Sequence, residues 1–425
     1  MGVPEDRENA PGPVAWLRLV AAAAALAAPA LGAHAADDQG FKIGEAGRLK
    51  LRLELAGQYD SNVFYSEAGA AVGGSVVDVM PGFEMQVAGN TVSADLKGAV
   101  DFKQYVTKQA QDLSRVFGNA ALGASVNREG VIGLELTDSF SRSDQTASLS
   151  VAQAIIANYN DLRLAVPMRP GGGALALTLS GEWVREAFET YVTATGCNPA
   201  VNPTCVPGTI GAYGYNEYGG TAEVSWKFLP RTALVLGGNY FQRTPDDLTV
   251  SREVRGLRVS GGLAGLVTTH LAVTLKGGYG TASSPETASL PGVSYSTWLG
   301  NAELQYVTQG PMGAKLGYLH DFRADPGTTY AVYALSRAYL EGRMQLAGRL
   351  TIRGTLGWDS LDYVINGVTS SIVSFAPAVE YEVMRWVYAG ASYTLTSRSS
   401  GGLPSPVPAF DYTRHLVALR VVFVY

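Results

Sequence analysis

Apolar and polar residues alternate with a period of two along most of the chain. In Arg349–Asp359, Leu350, Ile352, Leu356 and Trp358 share one side, and Arg349, Thr351, Arg353, Thr355 and Asp359 share the other. In Val92–Tyr105, Val92, Ala94, Leu96, Val100 and Phe102 oppose Ser93, Asp95, Lys97, Asp101, Lys103 and Tyr105. Leu49, Leu51, Leu53 and Leu55 alternate with Lys50, Arg52 and Glu54. Successive side chains of a strand point to opposite faces, so each segment reads as a strand with one apolar and one polar side. A helical period would group Arg349 with Arg353 but mix Leu with Thr. Eighteen strands can be counted, from 47–58 through segments such as 131–142 and 173–187 to 412–425, with sixteen as the runner-up. Short connections (Gly89-Asn90, Leu229-Pro230-Arg231, Ala347-Gly348, Arg385-Trp386) alternate with long ones (59–74, 143–152, 188–212, 399–411). The pattern predicts an all-β fold, a transmembrane antiparallel up-and-down β-barrel with short turns in the periplasm and long loops outside.

Both ends of the chain fit an exported barrel. The last strand carries Val417, Leu419, Val421, Phe423 and Tyr425 on one face and Arg414 and Arg420 on the other, and it stops on an aromatic residue. Phe423 and Tyr425 are therefore the expected assembly signal, read by the barrel-assembly machinery, on a strand that closes against the first. Residues 1–35 read as a signal peptide. Arg7 and Arg18 flank the start, Leu19 to Ala28 is apolar but too short to cross a bilayer, and Ala33-His34-Ala35 is a cleavage site. The expected organisation is a signal peptide at 1–35, a short periplasmic segment at 36–46 and an outer-membrane barrel at 47–425, in a Gram-negative envelope and bordered by outer-membrane lipid.

Composition narrows the function classes. Hydrophobic residues make up 47% of the chain and charged residues only 16%, yet no run approaches the 18 apolar residues of a membrane helix. Without the two basic and three acidic residues of the signal peptide the net charge is −4, which argues against a nucleic-acid partner. Cys197 and Cys205 lie in the longest loop, and export favours a disulfide between them; zinc would need further ligands, and no histidine is near. No cofactor is expected. Beyond the signal peptide the histidines are His270, His320 and His415. His320 falls on the apolar face near a strand end, where an interfacial histidine is the common case. A membrane-embedded hydrolase would need a serine beside it on the next strand. No nucleophile elbow or HExxH motif is present, so an enzyme is not expected.

The polar register is the surface on which function should rest. Its lumen candidates include Lys97, Lys103, Tyr105, Arg163, Arg337, Tyr339, Arg343, Arg349, Arg353, Glu380 and Glu382. Such residues make a wet lumen in any large barrel, and they also suit passage of polar solutes, with tyrosine faces available to stack on sugar rings. The mixed signs argue against a strong preference for cations or anions.

Gln58-Tyr59-Asp60-Ser61-Asn62-Val63-Phe64 follows the first strand, and Val79-Met80-Pro81-Gly82-Phe83-Glu84-Met85 lies in the second. This pair resembles the opening of the β-barrel porin 2 family; the likeness is specific over 58–85 and is one of pattern elsewhere. The resemblance implies an outer-membrane barrel, and the family includes barrels that look like exopolysaccharide export pores. No helical scaffold precedes the strands, so an exporter of this kind would work with separate periplasmic polysaccharide-export proteins. Pro81 removes a ladder donor, which predicts a bulge or local irregularity, and Pro377 repeats the device near the other end. Three readings stand: a passage for polar solutes or exported saccharide, a non-conducting surface or adhesive barrel, and an outer-membrane enzyme.

Overall fold

The computed structural model describes residues 40–89, 91–144, 155–191, 210–249, 251–286, 291–306, 311–325, 331–364, 367–401 and 411–425. The expected signal peptide and the Cys197/Cys205 pair lie outside these residues. The strands are β1 (Phe41–Ile43), β2 (Gly47–Asp60), β3 (Gly74–Ala88), β4 (Val92–Tyr105), β5 (Arg115–Val126), β6 (Leu134–Ser143), β7 (Ile155–Met168), β8 (Leu175–Tyr191), β9 (Tyr215–Leu229), β10 (Thr232–Pro245), β11 (Val254–Leu266), β12 (Leu271–Ser284), β13 (Val293–Tyr306), β14 (Met312–Ala324), β15 (Val332–Leu346), β16 (Leu350–Tyr363), β17 (Thr369–Met384), β18 (Val387–Gly401) and β19 (Tyr412–Val424). From β2 to β19 each strand pairs antiparallel with the next, and β19 pairs with β2 from Leu416↔Asp60 to Val424↔Arg52. The eighteen strands thus close into a barrel, and closure leaves every strand with two neighbours.

The eighteen strands expected from alternation are all present. The largest boundary difference is at 173–187, observed as Leu175–Tyr191. One strand was not foreseen: β1, within the expected periplasmic segment, pairs with β2 from Phe41↔Leu49 to Ile43↔Gly47. It takes over the β2 edge where β19 runs out. Tyr425 exchanges two backbone hydrogen bonds with Leu51 at 2.8 and 2.9 Å, and the Phe41 ring lies 4.9 Å from that of Tyr425. The alternation of 47–55 hid β1, because a three-residue strand carries too few positions to show a period.

The register sorts the residues onto two faces. Leu51, Leu257, Leu275, Leu316, Leu340 and Leu419 share the outer face and remain exposed, an apolar belt stable only against lipid. Aromatic residues border it at both ends: Trp226, Phe228 and Tyr306 toward the short turns, and Tyr218, Tyr240, Tyr279 and Trp298 toward the long loops. Among the described residues no helix is long and apolar enough to cross a membrane. The β15–β16 turn holds Ala347 at φ 49° and Gly348 at φ 71°, the double left-handed geometry of a tight hairpin, closed by Arg349 N–H donating to Leu346 O at 3.1 Å.

Pro81 and Pro377 interrupt pairing without shifting it. β3–β4 partners pass from Val79↔Phe102 to Gly82↔Ala99, and β17–β18 partners from Phe375↔Leu395 to Ala378↔Ser392, both in unchanged register. The outcome is a local irregularity and not a bulge. The register shift in β17 lies farther along, between Glu382 and Met384.

Candidate functional site in the barrel lumen

The face opposite the leucines carries the charge, and the register places all eleven sequence-derived candidates on it or in its turns. Arg337 pairs with Asp359 at 2.5 Å. Tyr339 donates to Glu303 at 2.6 Å, and Lys315 meets the same carboxylate at 3.1 Å. Lys103 and Tyr105 converge on Asp144, at 2.6 and 3.0 Å. Arg163 reaches Ser180 only at 3.4 Å, and Lys97 has no ion-pair partner among the described residues. Arg343 and Arg353 are direct cross-strand partners, with Arg349 just before β16. Glu380 is shared: Arg353 stands 3.7 Å away, while Arg420 of β19 is closer at 3.0 Å. Glu382 lies two residues on, opposite Tyr388, whose hydroxyl donates to Arg385 O. Phe423 stacks near Trp386 at 6.2 Å. At this short-turn end Arg343, Arg349, Arg353 and Arg420 therefore stand among three carboxylates, Glu341, Glu380 and Glu382.

At the long-loop end the wall folds inward. Pairing of β13 with β14 stops at Gly300↔His320, although β14–β15 continues to Ala324↔Val332 and β12–β13 to Ser284↔Val293. Beyond His320, β14 and β15 slide inside the barrel. Their outward-pointing residues then meet protein instead of lipid. Phe322, Ala324 and Val332 are buried against Phe241, Val254, Ala282 and Leu299 on the lumen side of β10–β13. The backbone groups that lose β13 still need partners. Arg258 donates to Phe322 O at 2.7 Å and Arg243 donates to Ala324 O at 2.8 Å, so two lumen arginines replace the missing strand. Arg258 also pairs with Asp321 at 2.8 Å and lies over the Phe241 and Phe322 rings, while Arg243 pairs with Glu217 and lies over Tyr215. Each guanidinium acts at once as a charge partner, a stacking surface and a donor fork.

His320 sits at the point of divergence. Its ring stacks 4.0 Å from Trp298, Nδ1 lies 2.8 Å from Ser336 Oγ and Nε2 lies 3.2 Å from Thr297 Oγ1. A serine is thus beside this histidine on the adjacent strand. The observed contacts tie β13 to β15 across the last residue at which β14 bridges them.

A second inward segment follows β2. The Tyr-Asp-Ser-Asn-Val-Phe stretch turns into the lumen at the closing seam. Asn62 is fully buried; its Nδ2 donates to Ser66 O at 2.6 Å and to Thr413 O at 3.3 Å, while its Oδ1 accepts from Ser66 N–H at 2.9 Å. Asp60 accepts from Asn62 N–H at 2.9 Å and holds Arg414 at 2.6 Å. Val63 and Phe64 pack with Val76, Tyr105, Ala110 and Leu113. Burial pushes the Tyr65 hydroxyl up to about 12, against the pull of Arg414 beneath its ring. Burial is the largest influence on the Asp144 carboxyl and would raise it, but Lys103, Arg414 and the Tyr105 hydroxyl together hold the group below the usual carboxylate range.

Sequence reading missed the infolded β14–β15 ends, though a signal was there. Ala331-Val332-Tyr333-Ala334-Leu335 is an unbroken apolar run, the mark of a strand buried on both faces.

Solved structures match at low identity. A Pseudomonas aeruginosa OccK2 (OpdF) structure in complex with glucuronate matches at 12% identity and a TM-score of 0.46, covering 91% of this chain and 99% of that one. Acinetobacter baumannii OccAB3 matches at 13% identity and a TM-score of 0.44, covering 89% and 99%. No curated protein matches. A family model described as "Putative beta-barrel porin 2" matches residues 36–425. With that match spanning the whole barrel, the chain belongs to the β-barrel porin 2 family.

Proposed function

We propose that this barrel is a passive channel for small polar solutes, narrowed from within at its long-loop end. The observation that carries this reading is the seating of two segments inside the lumen, each fixed by an apolar cluster and by charge pairs. Elements held this firmly reduce the open section, which suits small solutes better than a polymer chain. Export of exopolysaccharide, the finer reading suggested by the sequence, gains no support from this geometry. Liposome swelling with solutes of graded size tests the reading. Monosaccharides and amino acids should enter, and long oligosaccharides should not. Absence of swelling with every solute would contradict a passage, and equal entry of dextrans would contradict the narrowing.

A further inference from the structure

Beneath the infolded end of β14 the lumen wall opens into a recess of about 200 Å³, formed by β9 to β14. Its strong charges are already neutralised in place. Lys276 pairs with Glu223 at 2.9 Å, and Arg258 pairs with Asp321 at 2.8 Å. Arg258 is further committed to Asn239 Oδ1 at 2.9 Å and to Phe322 O. What remains for a guest is a mixed set. Lys276 keeps two ammonium protons, and Glu223 keeps Oε1. The side chains of Ser260 and Asn301 have no hydrogen-bond partner among the described residues. Asn301 is the direct cross-strand partner of Lys276 and also of Leu319, so an amide, an ammonium and an apolar surface are contiguous. Leu299 and Leu319 add apolar lining.

We infer that this recess is a subsite for a neutral polyhydroxylated solute the size of a single sugar ring. The inference rests on the channel reading and deepens it. Adjacent donors and acceptors suit neighbouring hydroxyls, each of which gives and accepts a hydrogen bond, while the leucines suit the C–H face of a ring. An anion meets Glu223 and Asp321, and a cation meets Lys276 and Arg258. A zwitterion would have to break the Lys276–Glu223 pair to use either charge. Volume agrees: at ~30 Å³ per water, the recess displaces roughly seven waters, a ring-sized guest.

The test is saturation-transfer NMR on the purified barrel in detergent, with D-glucose as probe and L-serine and gluconate as comparators. Glucose should give a saturable signal, with serine and gluconate giving less than a fifth of it. Asn301→Leu and Lys276→Met should each weaken glucose binding at least tenfold, whereas Thr137→Leu, elsewhere on the lumen face, should not. Heat-modifiable migration identifies folded variants; should Lys276→Met fail to fold, Asn301→Leu decides. No saturable glucose signal, a stronger response to serine or gluconate, or full binding by Asn301→Leu would overturn the subsite. KCl conductance on the same preparations separates the two readings. A barrel that conducts without binding glucose loses only the subsite, and one that binds glucose without conducting loses only the passage.

Discussion

Leu340 and Val332 occupy the same face of the same strand, β15, yet Leu340 is 47% exposed and Val332 is fully buried. In β14 the same contrast separates Leu316, 54% exposed, from Phe322, fully buried. Toward the short turns this face borders lipid. Past His320 it borders the inner surface of β10–β13, because the barrel wall has become two layers. The register of a strand decides which residues share a side; the path of the strand decides what that side meets. A lipid-facing leucine rests against hydrocarbon as apolar as itself, whereas Phe322 packs against fixed neighbours that cannot flow into a gap.

That contrast can be broken most forcefully at Phe322. Phe322→Ala should cost about 3–5 kcal/mol through the cavity it leaves, whereas Leu316→Ala should cost under about 1 kcal/mol because lipid fills the space. Urea titration of the barrel in bilayers measures both, and equal costs would remove the distinction. Arg258→Met comes next. It leaves Asp321 with only the longer Arg323 contact at 3.7 Å and Phe322 O without its side-chain donor, for a loss of up to about 3 kcal/mol, since the pair is partly hydrated. Its clearest readout is raised current noise in KCl as the infolded end loosens. Asn62→Ala should cost about 1–2 kcal/mol, from the buried groups it leaves unpaired at the seam, and should raise protease sensitivity of the segment after β2 while leaving β14–β15 protected. The smallest effect is acid dependence at Asp144. Its carboxyl is depressed in the folded barrel, so its stabilisation is fully present above the unfolded value of about 3.9 and is lost as pH falls through the lower folded value. Conductance should therefore differ between the parent and Asp144→Asn at pH 5 to 8, and the difference should shrink only as pH falls below the ordinary carboxylate range. A difference that vanished at neutral pH would contradict the assignment.

Most of the wall was legible because a two-sided environment writes itself into a period of two. Arg349–Asp359 reads correctly from sequence since Leu350, Leu356 and Trp358 meet lipid and Arg353 and Asp359 meet the lumen. Family likeness over 58–85 pointed to the right stretch but not to its physical role, which depends on Asn62 reaching Thr413, a residue at the opposite end of the chain. The infolded end was illegible for a related reason. Nothing in their local sequence sets Arg243 and Arg258 apart from other charges on the lumen register, and only the three-dimensional path shows them bonded to the backbone of β14. The apolar run from Ala331 to Leu335 was the one local sign that alternation had stopped.

The central claim, a polar passage narrowed by its own infolded wall, is tested most directly by single-channel conductance in planar bilayers, comparing the parent chain with Phe322→Ala/Arg258→Met. The parent should open in small, steady steps in KCl, and the double variant should open in steps several times larger with more frequent fluctuation. Identical steps from two correctly folded proteins would show that the infolded ends do not limit the passage, and a folded parent with no conductance would show that there is no open passage to limit.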